Sequence, residues 1–137
     1  MGVSVAKSFE TEVERAFHFL VSEYGLSRPF GGDSAVCYAG SGVSYQILFD
    51  PAARSITTSV AKDIGEVRLT ADLRALVVGA ALGTPEKVRC GARTLTELRA
   101  TVLAHAGYVR RLQPYLTPLN ALPLMRAAHA RAQRPQS

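Results

Sequence analysis

Residues 35–61 read AVCYAGSGVSYQILFDPAARSITTSVA, and the alternation within this stretch decides the fold. Val43, Tyr45, Ile47 and Phe49 recur at every second position, with Ser44 and Gln46 between them. Successive side chains of a strand point to opposite faces, so a period of two marks a strand buried on one side and wet on the other. Ser55–Ala61 repeats the pattern, with Ile56, Thr58 and Val60 set against Ser55, Thr57 and Ser59. Ala35–Ala39 precedes both as a shorter strand. Gly40-Ser41-Gly42 and Asp50–Arg54 supply the turn chemistry between the three. A short fourth strand is expected over Glu66–Leu69. Strands joined by tight turns, each with one polar face, fit an antiparallel meander better than a parallel sheet, whose strands are apolar on both faces.

Upstream the period is helical. Phe9, Val13, Ala16, Phe17, Leu20, Val21 and Tyr24 fall on one stripe, with Ser8 as the expected cap and Gly25 as the expected stop. Glu10, Glu12 and Glu14 sit where the helix dipole favours negative charge. Downstream, Thr70 is expected to cap a helix through Leu73, Leu76, Val77 and Ala80, closed at Gly83. Thr94 and Glu97 form a capping-box pair ahead of Leu95, Leu98, Val102, His105, Val109 and Leu112, whose three-four spacing makes a narrow seam. Pro114 ends that helix. A last one is expected to start at Thr117-Pro118 or Asn120 and run through Met125 to Ala128, fading into a frayed tail over 131–137. The expectation is one α+β domain over residues 1–137. It has an N-terminal helix, a three- to four-stranded antiparallel meander, and two to three C-terminal helices packed on one face. Open meander edges make a dimer a natural expectation.

At 137 residues, with 47% hydrophobic and 20% charged side chains, the chain is long and apolar enough for one continuous core. No window approaches the run of about eighteen apolar residues that a membrane span requires. The first residues lack the apolar region of a secretory signal, so a cytoplasmic chain with no membrane partner is expected. Cys37 and Cys90 lie far apart in sequence and are expected as reduced thiols, with Cys37 in the core.

The sequence carries few signs of a chemical site. Ser41 lies in a strand–strand turn, whereas a nucleophile elbow joins a strand to a helix. His18, His105 and His129 fall on three different helices with no ligand at helical spacing, so no metal site is assigned. Asp33, Asp50, Asp63 and Asp72 occupy turns or helix starts, where aspartate has structural work. Neither a dinucleotide fingerprint nor a phosphate-binding loop occurs, and no cofactor is assigned. The sequence therefore nominates no catalytic residue, and the reading leans away from an enzyme. One histidine stands out: His105 interrupts an apolar seam, as a pH-sensitive or interface residue would.

The net charge of +5 is uneven: residues 1–83 carry 7 Lys/Arg and 9 Asp/Glu, residues 84–137 carry 9 and 2. Arg99, Arg110, Arg111 and Arg126 are the candidate basic patch. Phosphate recognition needs several cations on one face, and base stacking needs aromatics; residues 84–137 offer only Tyr108 and Tyr115. Nucleic acid thus ranks below a protein partner, and a small enzyme with a site assembled only in three dimensions ranks third.

The run Phe17-His18-Phe19-Leu20-Val21-Ser22-Glu23-Tyr24-Gly25, followed by Val43–Asp50 and a further strand, resembles uncharacterised families of small bacterial α+β proteins. Small proteins of similar build include immunity proteins that neutralise a toxin. The resemblance implies a protein-binding or accessory role, whether toward a different protein or in a homo-oligomer, and assigns no residue a function.

Overall fold

The computed structural model describes residues 5–27, 29–32, 34–40, 42–116 and 120–133. Its centre is the expected meander, extended at both ends to six strands. They are β1 (Phe30–Gly32), β2 (Ala35–Gly40), β3 (Val43–Asp50), β4 (Ser55–Ile64), β5 (Val67–Asp72) and β6 (Arg131–Gln133). Every neighbouring pair is antiparallel and the spatial order follows β1 to β6. The expected three to four strands are corrected in two places. β1 arises from the glycine-rich stretch read as a loop, and β6 from Arg131–Gln133, read as tail; residues 134–137 lie outside the described ones. The β1–β2 hairpin depends on Gly31, whose φ is +137°, and any Cβ there would collide with the Ala35 carbonyl oxygen.

The helices cover one face of this sheet. They are α1 (Val5–Ala16), α2 (His18–Ser22), α3 (Leu73–Gly79), α4 (Leu95–Leu112) and α5 (Ala121–Ala127). The expected single N-terminal helix is broken at Phe17, and Ser8 lies inside α1 instead of capping it. Phe9 stacks on Phe49 at 5.8 Å and Phe17 on Tyr38 at 6.2 Å, which seats the helical layer on β2 and β3. Tyr24, at the end of the expected stripe, is 41% exposed. α3 is capped by Asp72, whose carboxylate accepts from the Ala75 N–H at 2.8 Å; Thr70, the expected cap, belongs to β5. At α4, Thr94 Oγ1 accepts from the Glu97 N–H as expected, while the Glu97 carboxylate accepts from the Arg93 N–H at 2.8 Å. The core fills the space between the layers with Tyr45, Ile47, Ile56, Val60, Leu76, Leu98, Val102, Val109, Leu112 and Met125, all essentially inaccessible to solvent.

Candidate binding face

The uncovered side of the sheet follows from register. Tyr45 pairs with Val60 and Val60 with Ala71, all on the helical side. The intervening positions must point away from the helices. One outward row runs Phe30, Cys37, Gln46, Ser59, Asp72 across β1 to β5. The next runs Ala39, Ser44, Ala61, Thr70, Arg131 across β2 to β6.

These rows are uneven in height. Small side chains (Ala39, Ser44, Ser59, Ala61) occupy the middle strands, while Phe30 stands at one margin and Arg68 at the other. The result is a trough of about 490 Å³ whose lining includes all six residues. Its size lies within the range of roughly 300–1,000 Å³ usual for ligand-accepting clefts. Phe30 is the large apolar group here, 57% exposed although it sits on a strand. Cys37, expected in the core, lines this trough on the opposite side from Val36 and Tyr38; both cysteines are free.

The charges on this face are already partly engaged. Asp63 and Arg68 are register partners and bond at 2.8 Å, which holds the carboxyl below its ordinary range. Asp72 accepts from Ala75, and Asp50 accepts from the Ala52 and Ala53 N–H groups at 2.9 and 3.2 Å. Arg131, on the same face as Thr70, is exposed and has no ion-pair partner among the described residues.

His105 lies elsewhere. It is 1% exposed, an interior residue held between α4, β4 and the segment before α4. Its Nε2 is 2.7 Å from the Arg89 carbonyl oxygen and its Nδ1 2.8 Å from Thr58 Oγ1. A carbonyl only accepts, so Nε2 carries the hydrogen and, in the neutral ring, Nδ1 accepts from the Thr58 hydroxyl. Burial pushes the imidazole below its ordinary pKa, with the Arg89 carbonyl acting the other way. The contacts pin residues 89–92 in place. Cys90 O accepts from the Ile56 N–H at 2.7 Å, Ala92 donates to Arg54 O at 2.8 Å, and Thr101 Oγ1 donates to Gly91 O. His105 thus ties α4 to the flank of β4.

The four arginines nominated as a basic patch are dispersed among different partners. Arg99 Nε donates to Glu12 at 3.0 Å. Arg110 makes a two-pronged bond to Glu23 at 2.9 and 3.0 Å and lies over the Phe19 ring at 4.3 Å. Arg111 lies near the Tyr108 ring at 5.8 Å, and Arg126 is exposed on α5. No three potential metal-ligating side chains cluster among the described residues, and no helix among them is long and apolar enough to cross a membrane.

Alternation alone placed Ser44, Gln46 and Ser59 on a wet face but did not reveal the trough. The readable signal was side-chain size: four small residues fall at outward positions of three consecutive strands. Phe30 carried no signal, since its strand is too short to show a period. Compared with known protein families, characterised proteins and solved structures, the chain gives no match. The resemblance noted for residues 17–25 and the strands that follow them therefore rests on the sequence pattern alone.

Proposed function

We propose that this chain is a binding protein whose recognition surface is the uncovered face of its sheet, and that its partner is another protein. The observation that carries this reading is the trough between Phe30 and Arg68, floored by Ala39, Ser44, Ser59 and Ala61. A sheet face with no partner usually carries long, charged side chains. Here short ones leave the floor open, and an exposed aromatic stands beside it, as at the anchor points of protein interfaces. An accessory or immunity-type factor, acting by occupying a partner's surface, is the form of binding protein this reading favours.

The test is affinity capture from native lysate with wild type and Ala61→Gln as parallel baits, each with and without nuclease. Ala61→Gln fills the trough floor with a neutral side chain at an outward position. A partner that survives nuclease and is lost with the filled trough supports the reading. Capture that is equal for both baits, or that disappears with nuclease, overturns it. Light scattering of the purified chain identifies the case in which the captured partner is a second copy.

A further inference from the structure

The trough in the open face has a polarity along its width, and this says what it recognises. At the β1 margin stands Phe30, an aromatic residue 57% exposed. At the β5–β6 margin stand Arg68, a lining residue whose guanidinium is bonded to Asp63, and Arg131 one strand further out. Between them the floor offers the Ser44, Ser59 and Thr70 hydroxyls and the Gln46 amide. The carboxylates on this face are satisfied within the molecule: Asp50 by two backbone N–H groups, Asp63 by Arg68, and Asp72 by the cap of α3. Arg131 has no such partner among the described residues. The surplus on the face is therefore a cation at one side, an aromatic surface at the other, and hydroxyl and amide groups between them.

We infer that the trough takes an anionic group carried beside an aromatic or large apolar one, presented by the partner protein as a carboxylate next to such a side chain. The anion sits toward Arg131, beside the Arg68–Asp63 pair, and the apolar group packs across Ala39 and Ala61 toward Phe30. The inference rests on the open face being the recognition surface and specifies its chemistry.

The fluorescent dye anilinonaphthalene sulfonate joins an aromatic body to an anion and serves as the probe; its uncharged relative phenyl naphthylamine lacks the sulfonate. Emission is titrated on wild type, Ala61→Gln, Phe30→Ser and Arg131→Gln, each first shown by urea titration to keep a cooperative unfolding transition. The expected result is saturable binding of the anionic dye to one site on wild type. Binding is lost in Ala61→Gln, weakened in Phe30→Ser, and about two- to fivefold weaker in Arg131→Gln, the range of one exposed ion pair. The uncharged dye binds more weakly than the anionic one and is indifferent to Arg131→Gln. Equal dye binding by wild type and Ala61→Gln overturns the inference, as does equal binding of both dyes. A trough that captures a partner yet ignores the anionic dye refutes the chemistry and leaves the binding reading standing. A dye site whose filling leaves capture unchanged refutes the binding reading instead.

Discussion

His105 shows how much of a residue's role its sequence position can carry. Its place in an apolar seam marked it as exceptional, but Thr58 and the Arg89 carbonyl are 47 and 16 positions away, and no local pattern announces them. Because burial lowers the folded pKa, the unfolded chain binds the extra proton over the window below the ordinary histidine value of about 6.5. The stability contributed by neutral His105 is complete above about pH 7 and is lost as the pH falls through 6.5 toward the folded value. Urea midpoints at about pH 7.5 and pH 5.5 should therefore differ more for wild type than for His105→Gln. An equal drop in both would remove this residue from the acid response. Thr58→Val strips the ring nitrogen of its donor inside the core and should cost about 1–3 kcal/mol. The two buried tyrosines offer a matched comparison. Tyr45 Oη accepts from Gln113 Nε2, whereas Tyr38 Oη is buried with no hydrogen-bond partner among the described residues. Tyr45→Phe should then destabilise by about 1 kcal/mol, while Tyr38→Phe stays within about 0.5 kcal/mol of wild type or gains stability. A larger loss at Tyr38 than at Tyr45 would contradict that assignment.

Among the elements, strands with a full alternating period were legible and short or bent ones were not. β3 and the first half of β4 follow the pattern residue by residue. The fourth strand was expected at Glu66–Leu69 but runs Val67–Asp72, because pairing with Ser59–Ile64 sets its length more than its own sequence does. The helix predicted to close at Gly83 ends at Gly79, where α3 meets α5 so closely that a Cβ would lie 3.1 Å from the Ala128 nitrogen. The break between α1 and α2 has a packing cause. A continuous helix would place Phe17 and Phe19 roughly 200° apart, on opposite sides. The turn at Phe17 lets both rings bury: Phe17 over Tyr38, and Phe19 beneath the Arg110 guanidinium. The stripe read from the sequence was right at Phe9, Val13, Phe17 and Leu20, and it fails at Tyr24, which lies past the end of α2 at Ser22. Phe17→Ala removes a fully buried ring at this junction and should cost about 3–5 kcal/mol in denaturant titration. A loss below about 1 kcal/mol would mean that the two helices do not seat on the sheet through this side chain.

Across the whole molecule, the α+β class and the antiparallel order were legible, because both follow from the period of residues 43–61 and the helical runs on either side. The sheet's margins were not: β1 and β6 contribute three residues each and are strands only because longer neighbours offer them an edge. The charge asymmetry was equally visible in the sequence, but its meaning depends on tertiary pairing. The excess cations of the C-terminal part are partly spent on the acidic first helices. Arg99 reaches Glu12 and Arg110 reaches Glu23 across 87 positions, in both cases joining α4 to the N-terminal layer. What remains exposed outside those pairs, among the described residues, is spread over the molecule: Lys87, Arg89 and Arg93 ahead of α4, Arg111 near its end, Arg126 on α5, and Arg131 on the opposite, helix-free face. A nucleic acid backbone rewards cations that lie along one track, since each phosphate neutralised contributes close to one unit to the log–log salt slope. Groups on two faces of the molecule cannot all reach one duplex, so only part of this set can contact one backbone in a single docking. Labelled duplex and single strands should consequently show only weak binding by fluorescence anisotropy at about 0.15 M salt, with a shallow salt slope. Releasing Arg110 by Glu23→Gln should strengthen that binding slightly, since it frees one cation without adding any. Submicromolar affinity with a steep slope would show that the arginines converge on a common ligand, and would replace a protein partner by a nucleic acid.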